Sequence, residues 1–190
     1  MSVLVYTENW DGNFRKSTFE AVSYASETAK MLDTEVIAIS LGEISNDELN
    51  KLGNYGVSKV ISCNAINKGD SQSATNAIAK IANGSSIIIF SNTNTAKMIA
   101  PRISAKLKAG IVSNVITLSK SASPLQVKRQ AFSSKAIESA TVNTSIAILA
   151  ISPNSFKLIE TGGRCTIKED LTNEKGAITI EGKETASGKI

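Results

Sequence analysis

The chain has 190 residues, room for one α/β-sized domain and a tail; 42% of them are apolar, and with aromatics at only 5% the core must be built from Ile, Val, Ala and Leu. Its formal net charge of +4 is scattered rather than clustered, with no Lys/Arg-rich block and no interleaved aromatics, which argues against nucleic acid as a partner. Histidine is absent, which excludes Ser–His–Asp, Cys–His and His-ligated metal chemistry within this chain.

Residues 2–7 (SVLVYT) read as a strand, followed at 8–13 by a turn centred on Asp11-Gly12 that carries the single tryptophan, Trp10, as a lid over the sheet end or an interface residue. A helix is expected over 16–32, with Phe19, Val22, Ala25 or Ser26, Ala29 and Leu32 on one face. Residues 35–41 (EVIAISL) form the second strand. A short helix spans 46–54, capped by Ser45 or Asn46, with Asp47 and Glu48 in its first turn and Gly53 and Gly56 at its end. A third strand runs through Val60-Ile61. The next helix covers 70–83, with Ala74, Ala77 or Ile78, and Ile81 inward and Asn83-Gly84 closing it.

Residues 87–118 then read as one βαβ crossover. Ile87 to Phe90 is a buried-strand run, and 91–95 (SNTNT) is a polar loop. Ile99, Ile103 and Leu107 mark one helical face, Gly110 stops the helix, and a strand begins at Val112. Pro101 cannot donate a backbone hydrogen bond. Either Thr93 or Thr95 starts a short turn and Pro101 sits in the first turn of the main helix, or Pro101 kinks it. Arg102 and Lys106, four apart, hold an acidic neighbour or face water. After the loop 119–124 the pattern changes to antiparallel strands at 125–133 and 136–143, a hairpin around Ser133 to Lys135. Residues 146–151 (IAILAI) are a strand buried on both faces. The hairpin extends the same sheet or forms a small second one. One further strand signal lies at 176–181 (GAITIE), and 184–190 is a peripheral tail.

Among possible sites, the loop 91–95 combines hydroxyls and amides with a following helix N-terminus, at the carboxyl end of a parallel strand where open α/β sheets bind ligands. It lacks the glycines of a phosphate loop, so capping the helix is the simpler use of these residues. Glu8, Asp11 and Glu20 near the end of strand one could meet a ribose or a base, but nothing pairs them at a spacing that demands acid–base work. Gly162-Gly163-Arg164 resembles an anion-binding turn weakly and reads as a connection. Cys63 and Cys165, with no CxxC pair, are free thiols of a reducing compartment. No apolar run is long enough to span a bilayer and no leader-like segment opens the chain, so a cytoplasmic or equivalent soluble location is expected. No catalytic, cofactor-binding or metal residue is assigned.

Several short motifs nevertheless resemble one family, the electron transfer flavoprotein alpha subunit in its N-terminal domain. They are the first strand with its Asp-Gly turn; Gly56-Val57-Ser58-Lys59-Val60, against the family's Gly-Ala-Asp-Lys-Val; and the Thr-rich turn followed by Ala100-Pro101-Arg102 and Gly110-Ile111-Val112-Ser113-Asn114-Val115, where the family tends to have Asp at the place of Asn114. Phe132-Ser133-Ser134-Lys135-Ala136 stands where the family usually carries Tyr-Ala-Gly-Asn-Ala. Ser152-Pro153-Asn154-Ser155 replaces its Arg-Pro-Gly-Ala before Phe156. The likeness covers residues 2–156 well and the tail loosely.

The resemblance implies an adenine-nucleotide-hydrolase-like fold at 1–156: a mainly parallel sheet flanked by helices, with an antiparallel extension after 118. Residues 157–190 would be a peripheral strand and linker. It implies an alpha/beta heterodimer that carries electrons on FAD from acyl-CoA or other flavin dehydrogenases to a membrane quinone oxidoreductase, as in fatty acid β-oxidation. The family's FAD-binding segments, Ser-Gly-Gly-Arg-Gly and Gly-Ile-Ser-Gly, do not occur here, so FAD is expected on a domain beyond this one, and this piece as a scaffold for the beta subunit. The alternative is a stand-alone adenine-nucleotide-binding module using the loops 7–13 and 91–95; a hydrolase is disfavoured by the missing histidine.

Overall fold

In the computed structural model of the chain, which describes residues 2–170 together with 176, 178, 179, 181 and 182, a single nine-stranded sheet carries almost everything. In chain order the elements are β1 (Ser2–Tyr6), β2 (Asn9–Trp10), β3 (Asn13–Phe14), α1 (Lys16–Met31), β4 (Glu35–Leu41), α2 (Asn46–Asn50), a 3-10 turn (Lys51–Tyr55), β5 (Lys59–Cys63), α3 (Ser71–Ile81), β6 (Ser85–Ser91), α4 (Asn94–Leu107), β7 (Gly110–Val115), β8 (Leu125–Ala131), β9 (Ala136–Val142), β10 (Ala147–Ile151) and β11 (Thr166–Glu169). The strand order is β11-β5-β4-β1-β6-β10-β7-β8-β9. The first seven of these are parallel, and β8 and β9 run antiparallel.

Handedness explains where the helices lie. The chain steps outward from β1 to β4 to β5, then returns across the sheet to β6 and continues toward β7. Right-handed crossovers in opposite directions place their helices on opposite faces. Accordingly α1, α2 and the 3-10 turn pack with Val3, Val5, Val36 and Ala38 on one face. Helices α3 and α4 pack with Leu4, Tyr6, Ile39 and Phe90 on the other. Alternation along each strand feeds both cores; in β10, Ala147, Leu149 and Ile151 face one and Ile148 and Ala150 the other.

Several expectations are sharpened. The turn at 8–13 is a two-strand hairpin of its own, β2–β3, with positive φ at Asp11 (50°) and Gly12 (77°), as a tight Asp-Gly hairpin turn requires. The helix at 46–54 is α-helical only to Asn50 and continues as the 3-10 turn; Ser45 is the cap, its hydroxyl accepting from the Glu48 N–H at 3.2 Å. Thr93 caps α4, accepting from the Ala96 N–H at 3.1 Å, and Pro101 lies within that one helix rather than in its first turn. Lys106 reaches Asn76 of α3 at 2.6 Å, and Arg102 is exposed. The helix ends at Lys108 in the left-handed conformation (φ 52°), not at Gly110. Gly110 instead opens β7, where a Cβ would stand 2.8 Å from the Thr144 hydroxyl and from a Val142 methyl. Within β7, Asn114 turns left-handed (φ 55°) and shifts the register with β10, which pairs again at Val115–Ile151 before the strand ends.

The β8–β9 hairpin extends the main sheet, joined to β7 at Val115–Arg129. Its turn begins earlier than expected: Phe132, Ser133 and Ser134 all have positive φ. Beyond Pro153 the chain crosses the α1 face. Phe156 packs edge-on against Tyr24, the Ile159 N–H reaches Ser23 Oγ at 3.0 Å, and the chain then adds β11 beside β5. The peripheral strand is therefore at Thr166–Glu169. The 176–181 signal lies partly outside the described residues, and Gly176, Ile178, Thr179 and Glu181 are not in a strand.

Ile148 is fully buried at the sheet centre, and Ile148→Ala is expected to cost about 2–5 kcal/mol, read as a lower urea midpoint. Asp70 caps α3. Its carboxylate accepts from the Ser73 hydroxyl and from the N–H groups of Ser73 (3.2 Å) and Gln72 (3.0 Å), and these donors, Ser73 first, hold it below its ordinary pKa. A lowered folded-state pKa stabilises above the unfolded value near ~4 and loses that stabilisation as pH falls through the folded value. Asp70→Ala should thus lose about 1 kcal/mol at pH 7, a difference that shrinks on acidification below about pH 4.

Candidate functional site

The strand order reverses between β1 and β6, and in an open α/β sheet the crevice at that point, outside the carboxyl ends of the strands, is where ligands bind. Here it is filled from within. Glu8 leaves β1 and is 3% exposed. One carboxylate oxygen accepts the Thr93 hydroxyl at 2.6 Å, and the other lies 3.3 Å from Lys68 Nζ. The Glu8 carbonyl accepts the Thr18 hydroxyl of α1 at 2.7 Å. Lys68, from the loop between β5 and α3, also donates to the Asn9 carbonyl and stands 4.1 Å from the Trp10 ring centroid. Arg15 sits over the same ring at 3.9 Å. The Asn9 amide donates to the Leu41 carbonyl at the end of β4, 2.8 Å away.

Beside this network opens a cleft of about 680 Å³, lined among others by Trp10, Gly42, Asn64, Asn67, Lys68 and Thr95. Its cation is already balanced: Lys68 faces a carboxylate and a carbonyl. The half-buried Lys68 and the buried Glu8 tie the loop before α3 to the end of β1. The Tyr6 hydroxyl, buried at the same strand end, has no hydrogen-bond partner among the described residues, and burial followed by the charge of Glu8 pushes its pKa up.

The residues singled out from sequence separate. Of 91–95, Thr93 joins Glu8, Thr95 lines the cleft, the Asn92 amide donates to the Asn114 side chain, and the Ser91 hydroxyl is buried without a hydrogen-bond partner among the described residues. Asp11 sits in the β2–β3 turn. Glu20 serves a different contact: it accepts the Asn154 N–H at 2.8 Å and faces Lys16 at 3.3 Å, tying α1 to the turn after β10. Gly162-Gly163-Arg164 is a strap. It lies so close to the 3-10 turn that a Cβ on Gly53 would stand 2.8 Å from the Arg164 carbonyl carbon. Lys68 was not singled out at all. A lone lysine in Asn67-Lys68-Gly69 carries no sequence signal, and only the fold brings it to Glu8. Among the described residues, no His/Cys/Asp/Glu group could hold a metal ion, and no helix is long and apolar enough to cross a membrane.

Cys63 is fully buried and its thiol is pushed up to about 12, chiefly by desolvation. With a disulfide reagent at pH 8, Cys63 should stay unmodified in the native protein and react only with unfolding, after the partly exposed Cys165. Counting thiols with and without denaturant checks this.

Comparison with known proteins follows the same direction as the fold. Residues 3–180 match the electron transfer flavoprotein domain. The chain is 28% identical over 197 residues to the electron transfer flavoprotein subunit alpha of Bacillus subtilis (strain 168); the alignment takes in 98% of this chain and 59% of that protein. It therefore spans little more than half the length of that relative. The match covers the sheet, both helical layers and the Glu8 crevice, and on that extent the chain belongs to the electron transfer flavoprotein domain family.

Proposed function

We propose that this chain is the N-terminal scaffold domain of an electron transfer flavoprotein alpha subunit. It would supply the platform on which a beta subunit docks, within a complex that takes electrons from acyl-CoA or other flavin dehydrogenases and passes them to the respiratory chain through FAD. The observation that carries this reading is the family match joined to a self-filled crevice: Glu8 engages Lys68 and Thr93, the groups an incoming phosphate would need. Two features support a flavin site elsewhere in the full protein. Gly163 backs onto the Gly53 carbonyl, where a Cβ would stand 3.0 Å away, and the cleft beside Trp10 has its lysine neutralised. On this proposal FAD is held by a domain beyond these residues, and no redox step is assigned to them. A cytoplasmic setting belongs to the same proposal.

The reading predicts two outcomes in gel filtration. Incubated with FAD, the chain elutes without a flavin absorption band; mixed with the beta subunit from the same genome, it elutes as a larger complex. A flavin band that travels with the chain alone, or no complex with the beta subunit, overturns the proposal. Calorimetry with ATP and AMP separates the alternative nucleotide-binding module, which requires heat at millimolar ligand; the filled crevice argues for none.

A further inference from the structure

The surroundings of Glu8 have the composition of an anion-binding site. Lys68 supplies a cation 3.3 Å from one oxygen. Thr93 donates a hydroxyl at 2.6 Å to the other while its oxygen caps the 14-residue helix α4, whose N-terminal end is the positive pole of its dipole. Tyr6, two residues before Glu8 on the same strand end, adds a second mark: a hydroxyl 2% exposed, with no hydrogen-bond partner among the described residues. A donor buried without an acceptor is costly and rare, and marks polar space that the side chains present do not use fully. The one anion in the crevice belongs to the protein itself.

We infer that Glu8 is an internal ligand, a carboxylate that occupies an oxyanion site built by Lys68 and Thr93 and excludes external carboxylates and phosphates from the switch-point crevice. The site is a property of the chain in isolation and does not depend on the partner reading. Two consequences follow from charge. With Glu8 present, a second anion would meet a like charge in a buried setting, so the native protein ignores small oxyanions. With Glu8 shortened to alanine, Lys68 loses its counter-charge and the vacated volume accepts a free carboxylate or phosphate.

The test is chemical rescue in the full chain, read by thermal unfolding at fixed ionic strength with formate, acetate, phosphate or chloride. Glu8→Ala is expected to lower Tm by about 10 °C. Millimolar formate or acetate should return about half of that loss by binding the folded state, and phosphate should do the same if the vacated space admits it. Chloride should have no such effect, and the wild type should not respond to any of the four. Adding Lys68→Ala to Glu8→Ala should abolish the response. If Glu8→Ala does not fold unaided, formate or acetate in the refolding buffer should restore native circular dichroism. Absence of a carboxylate response in Glu8→Ala, an equal response in the wild type, persistence of the response without Lys68, or no restoration on refolding would each overturn the inference.

Discussion

A carboxylate taken out of water must be met by opposite charge and hydrogen-bond donors, or the fold that buries it is not stable. In this chain that requirement falls on Glu8, and meeting it draws together segments far apart in sequence. Lys68 comes from the loop before α3 and Thr93 from the cap of α4, while Thr18 of α1 holds the Glu8 backbone carbonyl. The same knot sets Asn9 against β4 and brings Lys68 over Trp10. The crevice between β1 and β6 is thereby filled by the protein's own groups, and a surface that in related architectures receives a ligand becomes a structural joint.

Most of the architecture was legible in the sequence. Apolar runs such as Ile87 to Phe90, helical spacings such as Ile99, Ile103 and Leu107, and the shift to looser alternation after Leu118 reflect local periodicity, which survives packing. The errors cluster where a tertiary contact decides. Gly110 looked like a helix stop, but Lys108 adopts the left-handed turn, and Gly110 is needed because Val142 and Thr144 crowd it. Asn114 shifts the register of β7 against β10 through a backbone conformation that no pattern of hydrophobicity encodes. Strand β11 has few apolar residues, since an edge strand of four residues beside β5 needs little burial, so its signal was weak.

The site was less legible than the fold. Glu8 and Thr93 stood out by residue type and position, yet they lie 85 residues apart and nothing in the sequence pairs them. Lys68, the charge that completes the arrangement, looks like any loop lysine. Glu20 shows the converse: it shares with Glu8 an acidic identity and a place near strand one, but it is committed to Asn154 and Lys16. What separates these two carboxylates is the set of partners the crossovers bring to each, and that is a property of topology rather than of composition. Gly163 likewise changes meaning once it is seen lying on the Gly53 carbonyl.

The place of β10 in the sheet has a consequence for how the chain becomes a protein. Strands β6 and β7 flank β10 and pair with it, although α4 joins them to each other and β10 arrives only after the β8–β9 hairpin. As the chain emerges from the ribosome, β6 is left as a raw edge, and β7 with its hairpin has no sheet to join, until Ala147–Ile151 has been made. The first half, β1 to β6, can assemble progressively on both sides of β1. The second half must wait and then form at once around a late, fully apolar strand. Long-range parallel pairing of that kind is slow and leaves an exposed edge in the interim, so the interval between synthesis of Ser91 and of Ile151 is when this chain is most open to pairing with the wrong strand.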